Sequence, residues 1–365
     1  MVTMLAVNAQ TDTAGVVSVY ADTTTIKPQE KQSWFKRAYK FLDGVFSPSR
    51  DTNYVDTQDR YNWCTEVQLS SRFEQFQLDA GEDFNLRVTP KWRTRIGPFF
   101  GWRFAFLGYN IDLKSVFMND DDTDLSASVY SAAFGLDLFY RRVGGNYNIH
   151  NFTMKGKDYS TLLHGEPFDG IKVGMTRVSF YYVTNYKHFS HQAAYSQANR
   201  QLRSAGSLIL GASYAHNRMS INWSKFASLL NDINDTDYDT NKLYGKQKND
   251  EFSLTGGYGY NWVFARNWLL GAELSGSIGY LLQHTATATK NDSDDESESN
   301  ILKTITDFGK KNIAFNGTLR TVLLYNNGPW FFGTQGYIFY YQYGNGLVMT
   351  RNMLGSLYFY VGFNF

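Results

Sequence analysis

Gly355-Ser356-Leu357-Tyr358-Phe359-Tyr360-Val361-Gly362-Phe363-Asn364-Phe365 closes the sequence, and its alternation decides the fold. Leu357, Phe359, Val361, Phe363 and Phe365 share one face of an extended strand; Ser356, Tyr358, Tyr360, Gly362 and Asn364 share the other. On a soluble edge strand an unbroken apolar face would leave a sticky, unpaired ladder. A membrane barrel uses both features: the ladder closes on the first strand, and the apolar face meets lipid. The expected fold class is therefore all-β, a transmembrane antiparallel β-barrel of the bacterial outer membrane. Leu357, Phe359, Val361, Phe363 and Phe365 are its closure residues.

Composition points the same way. The 365 residues include 28 Phe, 26 Tyr and 8 Trp, with 31 Gly and 6 Pro, and no apolar run is long enough for a transmembrane helix. Barrels use aromatics for interfacial girdles and glycine for turns and narrow lumens. A net charge of +1 offers no basic field for nucleic acid. The single cysteine, Cys64, excludes an internal disulfide and has no ligand-spaced His or Cys neighbour, so neither metal nor cofactor is expected.

Residues 1–9 resemble the tail of a secretory signal, with Val7 and Ala9 placed before a cut ahead of Gln10. Residues 10–62 read as an N-terminal periplasmic segment. Within it, residues 33–46 have the Ser33 cap and the spacing of Trp34, Ala38, Phe41, Leu42 and Val45 that suit a short amphipathic helix. Such a helix would lie on the inner leaflet or plug the periplasmic mouth.

The barrel is expected over residues 63–365. Trp63, Val67, Leu69 and Phe73 alternate with Glu66, Gln68, Arg72 and Glu74; Phe84, Leu86 and Val88 alternate with Arg87, Lys91, Arg93 and Arg95. An Arg or Lys on the lipid face costs roughly 2 to 4 kcal/mol near the midplane. The charged set is therefore expected in the lumen: Glu66, Glu74, Arg87, Lys91, Arg93, Arg103, Glu273 and Arg320. Further strands are expected at 99–113, with a bulge near Gly108, and at 126–140, 147–152, 168–186, 207–223, 252–264, 268–283, 312–325 and 329–343. That makes about twelve. Short periplasmic turns are expected at Gly97-Pro98, 141–146, 265–267 and 326–328, with longer external loops between them.

Residues 185–206 break this rule as a long periplasmic insert, and they carry a family resemblance. Tyr186-Lys187-His188-Phe189-Ser190-His191-Gln192-Ala193-Ala194-Tyr195-Ser196-Gln197, followed by Arg200-Gln201-Leu202-Arg203-Ser204-Ala205-Gly206-Ser207, resembles the central block of a family of uncharacterised Gram-negative outer-membrane proteins, domain of unknown function 4421. Phe139-Tyr140-Arg141-Arg142 and Gly256-Gly257-Tyr258-Gly259-Tyr260-Asn261 resemble its flanking pieces. The resemblance spans roughly residues 54–365 and implies an outer-membrane barrel, with no ligand or chemistry to carry across.

The leading functional expectation is a non-enzymatic barrel, either a narrow channel or a closed scaffold. Mixed charge in the lumen suits both: opposed rows would select solutes, whereas paired charges would block passage. The long insert suggests a protein partner, unidentified and periplasmic or outer-membrane, docked through Phe189, Ser190, Gln197, Arg200, Gln201, Arg203 and Ser204 or through the external loops. Other expected partners are outer-membrane lipid and lipopolysaccharide, and the barrel-assembly machinery through the C-terminal strand. The alternative is an outer-membrane lipid-modifying enzyme, a hydrolase or acyltransferase, with Ser190 beside His191 as the best local pair. Asp235, Asp237, Asp239 and Asn241 mimic the start of a calcium loop, but Thr240 and Lys246 occupy its Gly and Glu positions. The acidic run 291–298 reads as a solvated external loop.

Overall fold

A computed structural model describes residues 6–11, 17–22, 49–79, 84–90, 93–102, 105–112, 123–144, 147–154, 156–222, 225, 246–286, 312–344 and 349–365, some of them by backbone alone. The chain divides into two compact units, Met1–Val45 and Phe46–Phe365. In the first, β1 (Ala6–Thr11) pairs antiparallel with β2 (Val17–Asp22). Residues 6–9, expected to be a signal tail, thus lie in a hairpin strand, and the expected helix at 33–46 falls outside the described residues.

The second unit runs through β3 (Val55–Asp56), β4 (Trp63–Asp79), β5 (Phe84–Pro90), β6 (Arg93–Trp102), β7 (Ala105–Asp112), β8 (Thr123–Tyr130), β9 (Phe134–Gly144), β10 (Tyr147–Met154) and β11 (Lys157–Asp158). Then come α1 (Ser160–Leu163), β12 (Pro167–Phe168), β13 (Ile171–Val183), α2 (His191–Tyr195) and β14 (Arg200–Gln201). The long strands β15 (Ala205–Ile221), β16 (Lys246–Ala265), β17 (Trp268–Ala286), β18 (Ile313–Asn326), β19 (Trp330–Gly344) and β20 (Met349–Asn364) complete it. Among the described residues, twelve strands form a closed antiparallel circuit: β4, β6 to β9, β13 and β15 to β20. The last strand, β20, closes on β4 along its whole length, from Met349↔Asp79 to Asn364↔Cys64.

Alternation built these strands, and burial follows it. Each of the twelve exposes a large apolar side chain outward, including Val67, Leu107, Leu125, Phe180, Leu254, Leu274 and Phe359. Water would not tolerate an apolar belt around a whole molecule; the hydrocarbon of a bilayer is its natural solvent. At the end where the chain makes tight turns, Trp63 faces Trp102 at 6.3 Å, Trp268 meets Tyr325 at 5.3 Å and Trp330 meets Phe363 at 4.7 Å, an interfacial aromatic girdle. That end is periplasmic. The connections at 222–245 and 287–312 leave from the opposite, external end.

The membership of the circuit differs from the sequence expectation in four places. Gly97-Pro98 is no turn but lies within β6; the β6 to β7 ladder skips it and resumes in the same register, Ile96↔Ile111 and then Phe99↔Gly108. Proline has no N–H to donate to the ladder, so pairing lapses there without the bulge expected near Gly108. The stretch 126–140 is two strands, because Ser131 N–H donates to Phe134 C=O (2.7 Å) in a turn that no Gly or Pro announces. Arg141 sits inside β9, so the turn expected at 141–146 is an external connection starting beyond Gly144. Finally, β5 and β10 leave the cylinder. The upper part of β4, from Phe76, pairs with β5, and β5 pairs in turn with β10, which carries β11 and β12.

Candidate functional site: a chamber between two stoppers

The inward-facing side chains show where the interior is open. They are buried near both ends of the barrel but only partly buried midway, at Arg177, Ser179, Tyr181, Gly211, Thr255, Ser275, Arg320 and Tyr337. At that level lies a cavity of about 280 Å³.

Its external side is closed by apolar packing. The inner face of β5 and β10, with Phe84, Leu86, Val88, Ile149 and Phe152, joins the inward residues Ile171, Val173, Met175, Met219, Ile221, Leu281, Phe339, Tyr341 and Tyr343 in one buried cluster. Burying each large apolar side chain contributes roughly 1.5 to 3 kcal/mol. Phe84 meets Phe152 edge-on at 5.8 Å, and Phe339 stacks on Tyr341 at 4.9 Å. This cap follows from the departure of β5 and β10: their alternation turns an apolar face inward over the mouth.

The insert closes the periplasmic side. Ser190 caps α2 by accepting the Ala193 N–H at 3.1 Å, and α2 lies inside the mouth with Ala194 in one buried cluster with Cys64, Leu269, Val322, Leu324, Phe331 and Tyr360. Phe189 packs on Val183 and Ile209. Polar contacts reach the wall all round: Gln192 to the Tyr130 carbonyl (3.3 Å), Asn261 to the Ser190 carbonyl (2.9 Å), and Gln197 to the Tyr360 hydroxyl (3.2 Å). The approach chain seals it from below. There β3 pairs with β14, Gln201 donates to the Tyr54 carbonyl (3.2 Å), Arg200 bridges Asp56 at 3.2 Å, and Arg50 donates to Gln192 at 2.6 Å. Burial pushes the Arg50 guanidinium down to about 10. The neighbouring Asp51 is held below the usual carboxylate range, first by the Asn53 backbone N–H it accepts.

Phe189, Ser190, Gln197 and Gln201, expected to face a partner, are therefore buried inside the mouth; Arg200 is half-buried in its ion pair, Ser204 caps the Val263 N–H (3.0 Å), and Arg203 alone of the seven is exposed. An insert rich in Gln, Ser and Arg reads as a solvated surface because sequence shows its polarity and not the polar wall awaiting it. Ser190 is engaged as a cap, and among the described residues no hydrogen bond joins it to His191.

The expected lumen charges divide in the same way. Glu66 is 2 % exposed beside Gln68, near the periplasmic stopper. Glu74 holds Arg141 in a buried bidentate pair beneath the cap. Glu273 accepts from His191 Nε2 at 3.0 Å, which leaves Nδ1 to accept the Tyr181 hydroxyl at 3.1 Å. Arg320 pairs with Asp137 at 3.8 Å and lies over the rings of Tyr195 and Tyr337. Arg87 is displaced: on β5 it faces away from the interior and donates to Gln77 at 3.2 Å. Lys91 and Arg103 lie outside the described residues, as does the side chain of Arg93, whose backbone pairs with Arg72. The calcium-like run 235–241 also lies outside them.

Sequence reading missed Asp137, Arg141, Arg177 and Tyr181. All four occupy inward positions of β9 and β13. Parity would have found the first two had a turn not been placed on Arg141. Arg177 reaches across the lumen to put its guanidinium over Phe339 of β19 at 4.5 Å, with a bond to Ser213 on neighbouring β15 at 3.3 Å, and only the closed sheet brings β13 and β19 face to face.

A closed antiparallel barrel with an apolar belt, an aromatic girdle and a filled interior defines a bacterial outer-membrane β-barrel. The chain belongs to the family described as Domain of unknown function (DUF4421), whose sequence model matches residues 49–365. No curated protein matches it in sequence. Solved structures similar to it include the outer membrane protease OmpT from Escherichia coli, at 7% identity and TM-score 0.40, covering 85% of this chain and 98% of that one. The COG4313 outer membrane channel from Pseudomonas putida F1 shows 10% identity and TM-score 0.31 over 84% and 96% of the two chains. The outer membrane protein OprG from Pseudomonas aeruginosa shows 8% identity and TM-score 0.26 over 86% and 99%. Likeness of this degree carries nothing about activity.

Proposed function

We propose that this barrel is a closed, non-enzymatic scaffold of the outer membrane and not an open pore. One observation carries the reading: both mouths are filled, the external one by the β5 and β10 cap and the periplasmic one by the insert. Inward charges paired as Glu74 with Arg141 and Glu273 with His191 lock the interior instead of lining a path. Handling by the barrel-assembly machinery through β20 belongs to the same reading. Refolded full-length protein in a planar bilayer should be silent at moderate voltage. Regular unitary steps would overturn the proposal.

The second reading, a lipid-modifying enzyme, has one observation in its favour, the Tyr181, His191 and Glu273 relay at the chamber floor. Its chamber lies inside the barrel, away from the lipid surface. Lipid hydrolysis or transfer that disappears in His191→Ala would carry that reading instead.

A further inference from the structure

The outer surface of the barrel holds a charge arrangement that neither the chamber nor the stoppers use. On β9, β13, β15 and β16 the outward side chains grade from Leu138, Phe180, Leu210 and Leu254, through Tyr140, Tyr214 and Phe252, to exposed cations at the external end. Those cations are in register. Arg142 lies opposite Gly174, Gly174 opposite Arg218, and Arg218 opposite Lys248, so three cations and one glycine form a single row across four strands. Lys172 stands two residues further out than Gly174 on the same face, and Thr176 two residues further in.

Like charges directly opposite on adjacent strands are unfavourable unless an anion joins them. The acids at hand do not serve. Asp250 is engaged by the Tyr214 hydroxyl (2.7 Å) and His216 Nδ1 (2.5 Å), and the near side of Arg218 donates to His216 Nε2 (2.6 Å). Among the described residues, no carboxylate pairs with Arg142, Lys172 or Lys248. Gly174 leaves a notch in the row. Among the described residues, a Cβ placed there would meet within 4 Å only the Arg141 carbonyl at 3.8 Å and the Arg218 Cβ at 3.9 Å, so it would clash with none of them. With strands about 4.8 Å apart, the backbones bearing Arg142 and Arg218 stand roughly 10 Å apart across that notch. Two guanidinium forks, an ammonium above and a hydroxyl below suit a phosphate, and the apolar surface beneath suits acyl chains.

We propose that the notch at Gly174, framed by Arg142, Lys172, Thr176 and Arg218 with Lys248 beside it, binds the phosphate of a phosphorylated glycolipid of the outer leaflet, its acyl chains lying on the apolar belt below. The inference stands apart from whether the barrel conducts.

The test is retention of bisphosphorylated lipid A by full-length refolded protein in detergent, read by native mass spectrometry, with phosphatidylcholine, a zwitterion whose choline cancels its phosphate charge, as the control. Folding of every variant is checked by its heat-dependent mobility. Wild type should retain lipid A and exchange it for phosphatidylcholine poorly. R142Q/R218Q should lose at least about tenfold in retention, since two charge-assisted contacts are removed. Filling the notch with G174L should weaken retention while keeping every cation. Arg351→Gln removes an external cation already paired with Asp79 and should change nothing. Equal retention by wild type and R142Q/R218Q, or an equal loss in R351Q, would overturn the site. Full displacement of lipid A by millimolar inorganic phosphate would also count against it, because it would make the ligand a free anion.

Discussion

Glu74 and Arg141 are 4 % and 6 % exposed, and each is the other's charge partner beneath the cap. Removing the carboxylate takes a bidentate, charge-assisted contact away from Arg141 in a dry interior. Glu74→Ala is therefore expected to destabilise the barrel by about 3 to 5 kcal/mol, read as a lowered urea midpoint in micelles; an unchanged midpoint would mean that water reaches Arg141. A second residue prediction is steric. A Cβ on Gly362 would fall 2.0 Å from the fully buried Phe331 ring, whereas at Gly317 it would meet nothing within 4 Å among the described residues. Gly362→Ala should cost about 1 to 3 kcal/mol, and Gly317→Ala within about 0.5 kcal/mol of nothing. Both are checked by the same urea titration.

At the scale of elements, the insert is the part that sequence described least well. Its length and its position between β13 and β15 are plain from the loss of alternation, but its direction is not. Side chains such as Gln197 and Asn261 find partners far along the chain, Tyr360 and Ser190, and no local pattern encodes a contact more than sixty residues away. The same holds for β5 and β10, whose alternation reads like that of any barrel strand although they pair beyond the cylinder. Where geometry is local, as at the closing strand, alternation sufficed: Leu357, Phe359, Val361 and Phe365 are exposed outward as their parity requires. Cys64 offers a direct test of the stopper. It is buried against the cluster around Ala194. In folded wild type it should resist a water-soluble maleimide, and replacing residues 186–204 by a short turn should make it react while the barrel stays SDS-resistant. Rapid labelling of the wild type would show that the insert does not seal the mouth.

At the scale of the whole molecule, the β20 to β4 pairing joins the two ends of the circuit among the described residues. Ending the chain at Gly355 should abolish the compact, heat-sensitive band seen before boiling in SDS; persistence of that band would mean that the remaining strands close without β20. The apolar belt also makes lipid or detergent a condition of the native state, because every strand of the circuit presents large apolar side chains outward. Composition foretold this much: an aromatic-rich chain without a membrane-spanning helix needs strands to reach lipid.

The stopper, from a segment in the middle of the chain, bonds to Tyr360 on the last barrel strand and shares one buried cluster with Cys64 on the first. This sets an order in time. Neighbouring strands such as β16 and β17 can zip early, because the loop they must close is a two-residue turn. The seam joins residues some three hundred apart and comes late, and the insert cannot find its full set of contacts until both seam strands stand in place. The plug's set of contacts is thus complete only once the seam has closed.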